Sequence, residues 1–167
     1  MPYALLSSIW TSVAFYLVTV LSGLHFWGND SFLRSHVASA LTATVLLLFA
    51  HTMVMFYFIG TGKKIKEFTA EWDQAAQNGV RQKILLQKRK LFPHMTLICL
   101  LIVVVFVLGG ALSANLISKN THGWFALSVF VYTIHVSVLE TIHIFKNIDL
   151  IEEVNRISRE KFAASGT

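Results

Sequence analysis

Four long apolar blocks, 3–27, 36–60, 92–115 and 123–145, alternate with polar segments along the chain. Each has the roughly 20 residues that an α-helix needs to cross about 30 Å of hydrocarbon. In lipid every backbone N–H and C=O must be paired inside its own segment, so open segments of this length predict helices. The pattern predicts an all-α fold, an integral membrane four-helix bundle forming one membrane domain over 1–167. Ile65, Phe68 and Trp72 recur at helical spacing, as do Val80, Ile84 and Leu91 beyond Asn78-Gly79. These positions predict a cytoplasmic helical hairpin over 61–91 that continues spans two and three and turns at Asn78-Gly79. Pro93 is expected either in the first turn of the membrane part of span three or inside one continuous helix. In the tail, 146–167, Ile148, Ile151, Val154 and Ile157 fall near one face and predict an extension of span four. Such apolar stripes beyond the membrane either stabilise the bundle or dock a partner.

Composition agrees with the pattern: 54% of the 167 residues are hydrophobic, more than one soluble core of this size can hide. The first block lacks a basic n-region and a small-x-small cleavage site, so it is expected to be retained as a span. Basic residues orient the bundle. Eight lie between blocks two and three (Lys63, Lys64, Lys66, Arg81, Lys83, Lys88, Arg89, Lys90), and four follow block four (Lys146, Arg156, Arg159, Lys161). The other connections hold only Arg34 and Lys119, so the positive-inside rule puts both termini and the hairpin in the cytoplasm. A multi-pass protein of the cytoplasmic (inner) membrane is expected, with Trp27 and Trp124 at the outer interface. The net charge of +5 comes from residues flanking the spans, which favours anionic lipid over nucleic acid as the partner. The one cysteine, Cys99, excludes an internal disulfide, a cysteine-ligated iron–sulfur cluster and a C-x-x-C-H haem attachment.

Seven histidines carry the candidate chemistry, because ionisable groups at membrane depth default to function. His51 and His135 stand at matched distances from the cytoplasmic lysines on spans that run the same way. Those spans are diagonal in an up-and-down bundle, roughly 12–14 Å apart, a gap suited to two imidazoles with an iron between them. His36 and His122 form a second level about 20 Å further out at 1.5 Å per residue. In this layout the chain resembles the four-helix core of the di-haem cytochrome b family, over the four spans and without a local signature. The resemblance implies His36 with His122 for an outer haem b and His51 with His135 for an inner one. Fifteen residues between His36 and His51 rotate the side chain by about +60°, whereas thirteen between His122 and His135 rotate it by about −140°. His122 therefore leaves the face of His135 unless 120–123 is not yet helical, and the inner pair is the preferred one.

Gly23, Gly109 and Gly110 lie at the outer level, where a haem needs close helices, although ordinary small-residue packing explains them too. Arg34, Lys119 and the cytoplasmic lysines are candidate propionate partners. Near the cytoplasmic surface His94 and His143 are expected to share a level, with Glu140 one turn from His143. These three are a candidate quinone and proton site, or else an interfacial cluster with Glu140 paired to Lys146. His25 is an alternative outer ligand. Copper at His51-x-Met53-x-Met55 is disfavoured because the three cannot share one face, and Glu140-x-x-His143 lacks the other carboxylates of a di-iron site. The expected function is a b-type haem electron-transfer subunit with one or two haems, linked to quinone, in a larger complex or homo-oligomer. No nucleophile constellation or nucleotide loop marks it as an enzyme alone. The rivals are a cofactor-free scaffold subunit and a small proton-coupled transporter.

Overall fold

The computed structural model describes residues 2–25 and 30–165, with side chains described except at 24–34, 162, 164 and 165. It consists of four helices: α1 (Pro2–His25), α2 (Asp30–Phe68), α3 (Gln74–Ser113) and α4 (Lys119–Ser165). All four are long and apolar enough to cross a membrane. With 47 residues, α4 runs about 70 Å, over twice the about 30 Å of a hydrocarbon layer.

The helices form a ring in chain order: α1 packs on α2 and α4, α3 packs on α2 and α4, and α2 meets α4 across the centre. Because neighbours are antiparallel, α2 and α4 run the same way, which brings their side chains to common levels. Ile9, Leu47, Val54, Leu91, Met95, Ile98, Val136 and Ile144 fill the main core. A second cluster, Ile65, Val80, Leu150 and Val154 under Trp72, Ile84 and Ile151, clamps the far ends of α2, α3 and α4. In water each such buried aliphatic side chain contributes about 1.5–3 kcal/mol. Phe68 points away from this cluster and is exposed.

The tip of the hairpin differs from expectation. It turns at 69–73, and Asn78-Gly79 continue inside α3. Asp73 caps α3 by accepting the Ala76 N–H at 3.1 Å, and Gln77 Nε2 donates to the Thr69 carbonyl at 3.0 Å. Lys161, from the end of α4, donates to Asp73 Oδ1 at 2.9 Å and lies over the Trp72 ring. With the first orphan amides of α3 satisfied at Asp73, nothing requires the turn five residues later. Pro93 lies within α3, the second of the two expectations for it.

At the opposite end α3 stops in a Schellman turn. Leu116 N–H donates to the Ala111 carbonyl and Asn115 N–H to that of Leu112. Asn115 takes φ 58°, a left-handed conformation that asparagine tolerates. Ser118 then caps α4, its Oγ accepting the Thr121 N–H at 3.1 Å, and the His122 N–H donates to the Ser118 carbonyl. His122 is therefore helical, and it stands on the same continuous helix as His135.

Candidate functional site

Polar side chains of α2 and α4 bond to each other at two levels of the bundle and stand near each other at an outer one. At the outer level His36 shares a 3.1 Å hydrogen bond through Nδ1 with Ser22 Oγ of α1. Its ring lies against Gly23, where a Cβ would come within 2.9 Å of His36 Cε1, so any side chain there would displace the imidazole. His122 mirrors this from α4. Its Cε1 lies 3.6 Å from where a Gly109 Cβ would stand, and its Nδ1 is buried without a hydrogen-bond partner. The two imidazoles are near enough for charge on one to be felt at the other. Gly110 has nothing within 4 Å of its Cβ position and takes no part.

At the middle level His51 Nδ1 and Glu140 Oε1 are 2.7 Å apart, both side chains fully buried. His51 Nδ1 and Glu140 Oε1 share this hydrogen bond, which leaves His51 Nε2 on the far side of the ring. That Nε2 is buried without a partner, as are Glu140 Oε2, Tyr57 Oη and Ser137 Oγ. Cys99 of α3 lies close enough to Glu140 to feel its charge. At the third level Asn147 Nδ2 donates to Thr61 Oγ1 at 3.1 Å.

The structure does not bring His135 to His51. His135 is exposed and packs its ring on Tyr132 and His94, with centroids 6.1 and 6.0 Å away. His94 Nδ1 shares a 2.8 Å hydrogen bond with Tyr132 Oη. His94 thus joins the level of His135, and the shared level expected for His94 and His143 is not found. The angular argument explains the outcome. His122 and His135 sit on nearly opposite faces of one helix, so only one can face the centre, and that one is His122. Eighteen residues separate His122 from Glu140, five whole turns at 3.6 residues each, so Glu140 shares the inward face. This spacing was readable and identifies the partner of His51 that depth alone missed. Tyr132 had no comparable signal.

His143 faces a groove between α3 and α4 rather than Glu140's partner on α2. Trp27 lies outside the described residues, and the side chains of His25 and Arg34 are not described. Lys119 opens α4. Among the described residues no three His, Cys, Asp or Glu side chains gather as a metal site, a test that a two-histidine haem ligation does not engage.

No protein family, curated protein or solved structure matches the chain.

Proposed function

We propose that the chain is a membrane-embedded electron carrier that holds one b-type haem between His36 and His122. The observation that carries this reading is a pair of imidazoles on the diagonal helices α2 and α4, near each other at one level and each set against a glycine of a flanking helix. Gly23 leaves room on α1 for the His36 ring, which a side chain there would displace. His122 Nδ1 is already desolvated and lacks a partner, and Ser22 orients the His36 ring. His36 and His122 would hold the haem, which would supply one-electron chemistry when bound. The second haem expected between His51 and His135 is not part of this proposal, since His135 faces outward.

The four helices span the inner membrane in this reading, with the 69–73 turn and the C-terminal end of α4 in the cytoplasm. Outward-facing Phe49, Phe56, Leu100, Val107 and Val131 are then covered by lipid, and basic residues flank the cytoplasmic side. The chain works as a subunit of a larger complex or as a homo-oligomer, exchanging electrons with a quinone. One level inward, the His51–Glu140 pair would hold a proton at the Nδ1–Oε1 contact.

The test is the absorption spectrum of the purified full-length protein before and after dithionite. A reduced α-band of b-type haem, at one haem per chain by pyridine haemochrome, is expected. A colourless protein from haem-replete cells sinks the reading. That result would favour a proton-coupled transporter, the reading to which the fully buried His51–Glu140 pair itself points.

A further inference from the structure

A groove of about 340 Å³ lies between α3 and α4 just beyond the apolar part of α4. Lys83, Gln87 and Lys90 from α3 line it with His143 and Lys146 from α4, and Lys90, Lys146 and His143 are its three candidate donors. The ammonium groups of Lys90 and Lys146 are close enough to act on the imidazole. His143 is 7% exposed, and its Nδ1 is buried with no hydrogen-bond partner. Of the two carboxylates in the groove, Glu153 is already engaged, both oxygens accepting from Lys83 Nζ at 2.8 Å. Asp149 alone remains against the three.

Two ammonium groups beside an imidazole whose Nδ1 lacks a partner make the groove attractive to an anion that can take up these donors. A phosphate has the charge and the oxygens to accept from all three at once, each bond charge-assisted. Leucines 86 and 150 give the same groove an apolar wall, as a headgroup site with its acyl chain would need.

We propose that this groove binds a phosphate group, with Lys90, Lys146 and His143 as its donors. The phosphate is that of an anionic lipid headgroup or a free phosphate; the two share the chemistry and differ in the acyl chain. The site stands on the α3–α4 geometry and is independent of the haem reading.

The full-length protein is reconstituted in nanodiscs of phosphatidylcholine, with or without phosphatidylglycerol, and separately with inorganic phosphate. Lysine acetylation is then followed residue by residue by mass spectrometry. Phosphatidylglycerol is expected to slow labelling of Lys90 and Lys146 about tenfold, the size of one charge-assisted contact, while Lys63 and Lys64 keep their rates. Protection of the same pair by inorganic phosphate in phosphatidylcholine discs assigns the site to a free phosphate. Equal slowing at all four lysines, or no protection of Lys90 and Lys146 by either probe, overturns the proposal. As a second readout, K90Q/K146Q is expected to lose the rise in thermal stability that phosphatidylglycerol gives, whereas K63Q/K64Q retains it. Retention by both double variants also overturns it.

Discussion

His51 and Glu140 meet at the centre of the bundle, Nδ1 to Oε1 at 2.7 Å, and solvent reaches neither side chain. A carboxylate withdrawn from water costs several kcal/mol unless it is paired, so this contact decides whether α2 and α4 can lie against each other at all.

Removing one member leaves the other buried and unpaired. Glu140→Ala and His51→Ala are each expected to destabilise the protein by about 1.5–3 kcal/mol, read from unfolding in detergent. The double variant His51→Leu/Glu140→Leu is expected to recover most of that loss, because two apolar side chains leave no unmet polar group. A double variant as unstable as the sum of the singles contradicts the pairing.

Haem content separates the two histidine pairs. His36→Ala or His122→Ala is expected to abolish the reduced α-band, whereas His135→Ala retains it, since that ring packs on Tyr132 and His94 outside the centre. Loss of the band in His135→Ala alone would move the ligand to the other face of α4.

The two glycines under the rings are not equivalent. A methyl at position 23 would stand 2.9 Å from His36 Cε1 and must push the ring aside, while one at 109 would sit at an ordinary 3.6 Å from His122 Cε1. Gly23→Ala is therefore expected to lower haem occupancy or shift its spectrum, and Gly109→Ala to leave both unchanged. Equal effects would mean that ring placement does not depend on the α1 backbone.

The tip of the hairpin is expected to be acid-labile. The Lys161 ammonium holds the Asp73 carboxyl below its usual value, and the Ala76 N–H adds to this. A depressed carboxylate stabilises the fold above its ordinary range and loses that contribution as pH falls through its folded value, below 3.8. Hydrogen-exchange protection at the Ala76 and Gln77 amides should fall between about pH 5 and about pH 2 in the parent protein. In Asp73→Ala it should be low throughout, and unchanged protection in that variant would refute the cap.

Topology is open to labelling in a Cys99→Ser background. A cysteine at position 79 is expected to be shielded from an impermeant maleimide in intact cells, and one at position 120 to react. The reverse pattern would invert the proposed orientation.

The number of helices and their order followed from the sequence alone, but the levels at which polar residues meet did not: His51 pairs with Glu140, five residues beyond His135. Apolar length and the pairing of backbone groups are properties of each segment by itself, and a fixed 1.5 Å rise converts residue number into depth. Depth, however, says nothing about azimuth. The thirteen residues between His122 and His135 showed that the two could not share a face, but which of them turns inward depends on how α4 rolls against α2 and α3. Its buried row, Val129, Thr133, Val136, Glu140, Ile144 and Asn147, settles that, and carries His122 inward with Glu140. The hairpin turn, expected at Asn78-Gly79, was misplaced because a tertiary contact decides it. Asn78-Gly79 is the stronger local signal, yet Asp73 is held from 88 residues away by Lys161, and that contact exists only once α4 has packed along the α2–α3 arms.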